Sequence, residues 1–319
     1  MKTSTLFTTT LVAATLTAIA ATPSLAADTL KLAIGQRGNW DTAVAEIGTK
    51  AGIFKKHDLT LEMTYTGGSG ETLQPVVSNS VDVGIAVGTL GAISVFAKGA
   101  PVRIIAAEAT GAADYWYAKA DSGIKSLKDA NGHTIAFSSR GSSTESVVRA
   151  FIAENKLNAK PTPTGSPPAT LTAVMTGQVD IGWAAPPFGL KEMDEGKIVM
   201  VAKATDAAIV RGQTIRVLVT NAATLEKKRP VLVRFMQAYR ETIDYMYDGD
   251  KALKSYAEFA HISEPMAKRV RDQFFPKSLI EPDGIKGMDT LLVDAVNLKF
   301  ITKPLTSQQV KELVQVPLK

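Results

Sequence analysis

The segment at residues 137–144, FSSRGSST, is the most specific chemical signal in this sequence. It places several hydroxyl side chains, one arginine and one glycine around the start of a predicted helix. A helix N-terminus exposes unpaired N–H donors and carries about half a positive charge, so such a turn can bind an acceptor-rich group. N-capping by Ser142 or Ser143 accounts for one hydroxyl without any ligand. The residues predicted to bind a ligand here are Ser138, Ser139, Arg140, Ser142 and Ser143.

Further candidate residues lie in three turns that each follow a predicted strand. The turn QRGNW at 36–40 repeats the arginine–glycine pair of 140–141. The turn GGSG at 67–70 is not a phosphate loop, because no Lys-Ser or Lys-Thr pair follows it. Trp40 and Trp183 lie at or near these turns and could stack on an organic ligand. Arg211 lies just before the second place where the chain is predicted to cross between two lobes, and it could reach the same space. These further predicted ligand-binding residues are Gln36, Arg37, Gly38, Asn39, Trp40, Gly68, Ser69, Gly70, Gly88, Thr89, Trp183, Pro186 and Arg211.

An internal repeat explains why similar turns occur twice. Residues 66–92 align without a gap on residues 164–190, with Asp82 on Asp180 and a constant offset of 180 − 82 = 98. A second pair of similar segments lies upstream and aligns Arg37 with Arg140, with an offset of 140 − 37 = 103. The difference of 5 between the offsets fits a length change in the intervening helix. One supersecondary unit used twice predicts two similar lobes that face a shared cleft.

Strand-like and helix-like patterns alternate in both repeats. Strands are predicted at 30–34, 59–65, 81–87 and 102–107, and again at 134–137, 179–184 and 198–202. Such alternation predicts an α/β fold with mainly parallel sheets. Ligands bind at the carboxyl ends of strands in such sheets, where the candidate turns fall. Asp82 and Asp180 open their strands at the opposite end, so we expect them to bond nearby backbone.

The pattern also predicts how the chain divides. Residues 27–115 and 217–319 form lobe 1, and residues 116–216 form lobe 2. The chain then crosses between the lobes twice, which makes a hinge. From residue 230 onward the alternation stops and helical patterns continue to the end. This C-terminal part is predicted to be a helical layer packed on lobe 1.

Composition excludes several classes of function. The chain has no cysteine and only three widely spaced histidines, so no disulfide, thiolate or histidine metal site and no cysteine nucleophile is expected. We find no catalytic motif and expect no cofactor. The formal net charge of +5 is mild and scattered, so nucleic-acid binding is not indicated. A monomer is expected.

The N-terminal segment is predicted to be a signal peptide. Lys2 is the one charged residue before Asp28, an apolar run follows, and Ser24, Leu25 and Ala26 provide a small-residue cleavage site. Cleavage of residues 1–26 would leave a soluble, exported protein, most simply in a periplasm. A membrane anchor is the alternative, but the apolar run is short and interrupted by threonines.

Several stretches together resemble a known family. The sequences KLAIGQRGNW, KAGIFKKHDLTLEM, SVDVGIAVG, GAPVRIIAAE, SLKDANGHTIAFSSRGSS and GQVDIGWAAPPFG are similar to the substrate-binding proteins of nitrate/sulfonate/taurine ABC importers. The resemblance covers residues 30 to about 219. It implies a type II periplasmic binding protein with a two-crossing hinge, which delivers a small anionic solute to a membrane permease and ATPase. It also places the cleft at 36–40, 68–70, 88–89, 138–143 and 183–187.

The resemblance leaves the ligand open. A sulfonate is the leading expectation, and an aromatic carboxylate or a thiamine-precursor pyrimidine are alternatives. The prolines Pro186 and Pro187 depart from the polar residues of better-known sulfonate binders, which argues against a taurine-like zwitterion. Enzymes of the same superfamily resemble these binders but depend on cysteines, and this chain has none. A sensor that reports the ligand to a membrane kinase is a further alternative.

Overall fold

The computed structural model describes residues 27–318, so the predicted signal peptide at 1–26 lies outside the described residues. The strands are β1 (Asp28–Gly35), β2 (Leu59–Thr66), β3 (Val83–Gly88), β4 (Val102–Thr110), β5 (Tyr115–Lys119), β6 (Thr134–Phe137), β7 (Lys160–Pro163), β8 (Ile181–Ala184), β9 (Ile198–Lys203) and β10 (Thr214–Asn221). The helices are α1 (Val44–Lys50), α2 (Ile53–Lys56), α3 (Ser69–Val77), α4 (Thr89–Ala97), α5 (Ser143–Glu154), α6 (Pro167–Met175), α7 (Leu190–Asp194), α8 (Ala222–Met246), α9 (Leu253–Ala260), α10 (Glu264–Phe274), α11 (Met288–Asn297) and α12 (Ser307–Leu313).

The strands form two five-stranded sheets with the orders β2-β1-β3-β10-β4 and β7-β6-β8-β5-β9. In the first sheet β1 runs parallel to β2 and β3, while β10 runs antiparallel to β3 and β4. In the second sheet β6 runs parallel to β7 and β8, while β5 runs antiparallel to β8 and β9. The predicted two-lobed α/β fold is confirmed. Each sheet is mixed rather than mainly parallel, because the strand that crosses from the other lobe enters it in the opposite direction.

The core strands have the composition that burial on both faces requires. All six residues of β3, VGIAVG, and all eight of β10, TIRVLVTN, are buried. Continuous apolar runs of this kind suit strands covered by helices on both sides. Helix α5 starts at an N-cap, because the Ser142 side chain accepts a hydrogen bond from the backbone N–H of Glu145. Strand ends and helix starts therefore meet where the candidate turns lie.

The internal repeat is visible in matching hydrogen bonds. Thr66 and Thr72 pair through their hydroxyls at 2.7 Å, and their counterparts Thr164 and Thr170 do so at 2.6 Å. Asp82 Oδ2 accepts from the backbone N–H of Lys31 at 2.9 Å. Asp180 Oδ2 accepts from the backbone N–H of Thr134 at 2.8 Å, and 134 − 31 = 103 reproduces the upstream offset. Both aspartates bond nearby backbone, as the sequence predicts.

The chain passes between the sheets twice. It leaves β4 at Thr110 and enters β5 at Tyr115, then leaves β9 at Lys203 and enters β10 at Thr214. By sheet membership both transitions fall slightly before the predicted boundaries at 115/116 and 216/217. We propose that residues 111–114 and 204–213 are the two hinge segments.

The C-terminal helices pack on the first lobe and also contact the second. The carbonyl of Pro282 accepts from the backbone N–H of Ala107 in β4 at 3.0 Å. Toward the second lobe, Arg269 in α10 pairs with Asp194 in α7 at 2.7 Å. The carbonyl of Leu298 accepts from Arg149 in α5 at 2.8 Å. The predicted helical layer therefore spans both lobes. No helix within residues 27–318 has the length and apolar character to cross a membrane.

Candidate functional site

A small cavity of about 20 Å³ lies between the lobes, at the carboxyl ends of the strands. By volume it has room for about one water molecule. Its walls come from both lobes. The lining residues are Gln36, Asn39, Thr42, Ser69, Ala86, Asp114, Ser138, Ser143, Thr144, Trp183 and Arg216.

Two polar atoms in the cavity wall are buried without a hydrogen-bond partner. They are Oδ1 of Asn39 in the first lobe and Nε1 of Trp183 in the second. The two residues are 3 % and 0 % exposed. Buried polar groups in folded proteins are nearly always paired, so each unpaired one requires an explanation. Asn39 and Trp183 line the same cavity, one from each lobe.

A buried charge cluster lies against the same cavity. The Arg216 guanidinium donates from Nη2 to Asp41 at 2.5 Å, from Nε to Glu108 at 2.9 Å and from Nη1 to Asp114 at 3.0 Å. All four side chains are at most 8 % exposed. The cluster has three acidic groups for one basic group, and each nitrogen of the guanidinium donates to one of the three carboxyl groups.

The cluster shifts the pKa values of its members. Burial raises the pKa of Glu108 to about 8, and the neighbouring Asp41 carboxylate adds to the effect. Burial also raises the pKa of Asp114. Burial alone would lower the pKa of Arg216, but the three carboxylates raise it well above its ordinary value. Both shifts favour the protonated forms of Glu108 and Asp114, while Arg216 remains charged.

The lobes touch around the cavity through glycines. The backbone N–H of Gly70 donates to the Ser139 hydroxyl at 3.0 Å across the cleft. A Cβ placed on Gly91 would lie 2.1 Å from the carbonyl oxygen of Gly141, and one on Gly88 would lie 2.5 Å from the same atom. Real Cβ atoms do not approach this closely. The lobes are therefore in a closed arrangement that only glycine permits at these contacts.

A family model described as NMT1/THI5 like matches residues 41–252, which is most of the chain. The chain belongs to the NMT1/THI5-like family. No curated protein matches this NMT1/THI5-like chain. The family resemblance read from the sequence is confirmed.

Solved structures share the fold of this NMT1/THI5-like chain. The alkanesulfonate-binding protein SsuA from Xanthomonas axonopodis pv. citri, bound to MOPS, superposes with a TM-score of 0.72 at 15 % identity and covers 91 % of this chain and 96 % of its own. The periplasmic nitrate-binding protein NrtA from Synechocystis gives 0.69 at 12 % identity, with 90 % and 86 % covered. The ligand-binding component of an ABC-type import system from Staphylococcus aureus, with zinc bound, gives 0.72 at 13 % identity, with 91 % and 97 % covered. These matches confirm the periplasmic-binding-protein fold.

The structure brings many of the sequence-predicted site residues to the interlobe cavity of this NMT1/THI5-like protein. Gln36, Asn39, Ser69, Ser138, Ser143 and Trp183 line it. Gly38, Gly68, Gly70, Gly88 and Ser139 form the interlobe contacts beside it. Two further hydroxyls are used within the protein, since Thr89 donates to the carbonyl of Thr214 at 2.6 Å and Ser142 caps α5.

The other five predicted residues, which are Arg37, Trp40, Arg140, Pro186 and Arg211, do not line this cavity. Trp40 is 0 % exposed, donates from Nε1 to the Tyr247 hydroxyl at 2.9 Å and packs edge-on against Tyr256 at 4.8 Å, so it belongs to the core. Pro186 is buried in the loop after β8. The three arginines are described in the next paragraph.

Arg37, Arg140 and Arg211 lie outside the cavity and are exposed. Arg37 stacks on the ring of Phe259 at 4.6 Å. Arg140 lines a separate outer groove with Arg149 and Lys299. Arg211 contacts the carbonyl of Asp206 at 3.3 Å. Equivalent positions in two repeats do not make these side chains converge on the cavity, because Arg37 stacks on Phe259 in the C-terminal layer and Arg140 lines the outer groove.

Arg37→Ala and Arg140→Ala are each expected to leave ligand affinity within about fivefold of the parent. Both residues are exposed outside the cavity, and exposed charges contribute less than about 1 kcal/mol. Calorimetry with the bound solute measures this. A loss of affinity of more than about thirtyfold in either variant would show that this arginine binds the ligand.

Sequence reasoning missed the charge cluster and the cavity residues Thr42 and Thr144. The signal for the cluster was available, because Arg216 is the one charged residue of β10 and Glu108 follows the apolar run IIAA in β4. Charged residues are almost never fully buried unless they are paired. Among the described residues no group of three His, Cys, Asp or Glu side chains is placed to hold a metal ion.

Proposed function

We propose that this protein is the solute receptor of an ABC importer, exported to the periplasm, which encloses a small molecule between its lobes and presents it to a membrane permease and ATPase. The observation that supports this most directly is the pair of buried, unpartnered atoms, Asn39 Oδ1 and Trp183 Nε1, on residues that line one cavity from different lobes. A ligand that bonds both atoms would stabilise the closed arrangement, because neither lobe alone offers both partners. The names of the structural neighbours, all binding components, support the same role.

A sulfonate or another small anion is the ligand that the family resemblance favours. Its oxygens would accept from Trp183 Nε1 and from the N-terminus of α5, which begins at the cavity residue Ser143. The second candidate class is the nitrogen-bearing ligands among the alternatives, such as the pyrimidine. Asp114 in the cavity wall favours that class, because its carboxyl oxygens accept hydrogen bonds.

A binding role also fits better than an enzymatic one, although the family name includes THI5. The cavity offers the hydroxyls of Ser69, Ser138, Ser143 and Thr144, but no histidine lines it to act as a base. His57 bonds Glu241 at 2.8 Å, and His261 lies 3.3 Å from Arg37. The sequence contains no cysteine nucleophile.

Native mass spectrometry of protein recovered from its host, followed by small-angle scattering, tests the receptor function. We expect a retained small molecule in one-to-one ratio. Adding that molecule to stripped protein should decrease the radius of gyration and raise the unfolding temperature, since the ligand binds only the folded state. Absence of any retained or bound solute, or tight binding with no compaction, would refute an interlobe receptor.

A further inference from the structure

We propose that a basic surface away from the interlobe cavity binds an acidic segment of a partner protein. The basic surface consists of Lys98, Lys299, Lys303 and Arg140, which are exposed and line two adjoining grooves. None of these residues lines the cavity. The inference therefore goes beyond the proposed function and does not depend on the identity of the solute.

The two grooves meet at Lys299. The α4 groove, between helix α4 and residues 296–305, has a volume of about 650 Å³. The outer groove, between helix α5 and residues 297–299, has a volume of about 470 Å³. Volumes of this size are typical of protein sites that bind drug-sized molecules. Together the grooves can hold several side chains of a bound segment.

The charge of the basic surface is not balanced by the protein. No Asp or Glu of the described chain lines the α4 groove. The outer groove contains Glu145, but it is buried and already accepts from Arg149 at 2.8 Å and from the backbone N–H of Gly141 at 2.6 Å. Within residues 27–318, the four residues of the basic surface form no ion pair. An acidic partner would supply the missing carboxylates.

A groove beside helix α8 shows the contrast. Its two basic residues are both neutralised, because Arg240 donates to Asp283 at 2.8 Å and Lys277 donates to Asp244 at 2.6 Å. The excess of positive charge in the α4 and outer grooves is therefore a property of this surface, not of every groove on the protein.

The backbone of Lys299 is a second observation at the same place. Lys299 follows the C-cap of α11 with φ of +62°. After a helix this left-handed conformation is usually taken by glycine, because a Cβ makes it unfavourable. A lysine here has a cost in stability, and a binding role for its ammonium group offsets that cost.

Both lobes contribute to these grooves. Arg149 in α5 donates to the carbonyl of Leu298 at 2.8 Å and lies 5.1 Å from the centre of the Phe300 ring. From the first lobe, Ser94 in α4 donates to the carbonyl of Phe300 at 2.8 Å. A segment bound across both grooves would contact both lobes, so its binding would favour the arrangement in which they are joined here.

Apolar walls favour a polypeptide over a membrane surface. Phe300 and Leu305 line the α4 groove, and Ile152 and Pro163 line the outer groove. A flat layer of lipid headgroups would meet the lysines but could not enter the grooves, whereas side chains of a protein segment can. An acidic segment with intervening apolar residues matches both the charge and the shape.

Two labelled peptides test the proposal on the unmodified protein by fluorescence polarisation. One alternates glutamate with phenylalanine, and the other has glutamine in place of each glutamate. We expect the glutamate peptide to bind at least about tenfold more tightly at low salt, and the difference to shrink at high salt because salt screens exposed charges. Equal binding of the two peptides, or no binding of either, would overturn the proposal.

Two triple variants with the same change in net charge test the location. The first combines Lys98→Gln, Lys299→Gly and Lys303→Gln. The second is the control and combines Lys55→Gln, Lys156→Gly and Lys254→Gln, which are exposed lysines that line neither groove. We expect the first to weaken binding of the glutamate peptide at least about tenfold and the control to weaken it less than about threefold. Equal losses would show a general effect of net charge and would overturn the proposal.

Single glycine variants show that such a loss is not a loss of folding. Lys156 follows α5 with φ of +51°, so it matches Lys299 in residue type and conformation. Lys299→Gly and Lys156→Gly should each keep or raise the unfolding temperature, because glycine takes this conformation without strain. Only Lys299→Gly should weaken binding of the glutamate peptide. Unchanged or equally reduced binding in the two variants would count against the role of Lys299.

Vesicles of phosphatidylglycerol test the membrane alternative. We expect the two triple variants to cosediment with these vesicles to the same extent. Selective loss of vesicle binding in the Lys98/Lys299/Lys303 variant, with peptide binding unchanged, would assign the basic surface to a membrane and overturn the proposal.

Discussion

Replacing Arg216 with alanine is expected to lower the free energy of unfolding by about 3–5 kcal/mol, because breaking a buried ion network leaves uncompensated charge. The loss falls on Asp41, Glu108 and Asp114, each within 3.0 Å of the guanidinium. Urea unfolding followed by circular dichroism measures it. Arg211→Ala is the matched control, because Arg211 is exposed in the neighbouring crossing segment and contacts only a backbone carbonyl. The control should lose less than about 1 kcal/mol.

The pH dependence of that loss identifies its cause. A carboxyl whose pKa is raised in the folded state stays protonated there while the unfolded chain releases its proton. The stability that this proton contributes is present at low pH and is lost as pH rises, by up to about 1.4 kcal/mol per pH unit for each group. In the parent protein burial already raises the pKa of Glu108 to about 8, so its contribution to stability already decreases as pH rises. The Arg216→Ala deficit should therefore be smaller at pH 5 than at pH 8, and a pH-independent deficit would indicate lost packing instead.

Replacing Gly91 with alanine is expected to weaken solute binding roughly tenfold to a hundredfold and to leave the free protein at least as stable as the parent. Its Cβ would lie 2.1 Å from the carbonyl oxygen of Gly141 in the other lobe, so full closure is blocked. Overpacking of this kind costs about 1–3 kcal/mol. In the open arrangement the contact is absent, and alanine suits the interior of α4 better than glycine by up to about 1 kcal/mol.

Calorimetry and small-angle scattering together separate these two effects. The Gly91→Ala variant should bind more weakly and compact less than the parent when solute is added. Gly284→Ala is the control, because a Cβ at Gly284 meets nothing within 4 Å. It should bind and compact like the parent. Full compaction in Gly91→Ala would show that the lobes close on the ligand without this contact.

The repeat made much of the fold predictable. Because each lobe uses the same unit, one alignment located strand ends in both, and the Thr66–Thr72 and Thr164–Thr170 bonds show how closely the units match. Strand β7 was missed because its sequence, KPTP, has two prolines, which sheets tolerate only at an edge. Periodicity predicts which face of a helix or strand is buried, and that sufficed for most elements.

The site was only partly predictable, because the spacing of residues in the sequence does not determine the direction in which a side chain in a turn points. Arg37 and Arg140 occupy equivalent turns, yet one stacks on Phe259 and the other lines an outer groove. The three acidic partners of Arg216 are 102 to 175 residues away from it in the sequence. No local pattern links positions so far apart. Arg216, the one charged residue of β10, predicts a buried acidic partner but does not identify it.

The strand order of the first sheet also constrains the order in which the chain can fold. Strand β10 lies between β3 and β4, and Thr214 contacts Thr110 at a sequence separation of 104 residues. The second sheet is built entirely from the continuous segment β5 to β9. Loop-closure entropy makes such distant pairings slow, whereas a continuous unit forms early. During synthesis the second lobe can therefore complete its sheet first, while β3 and β4 keep open edges until residues 214–221 emerge.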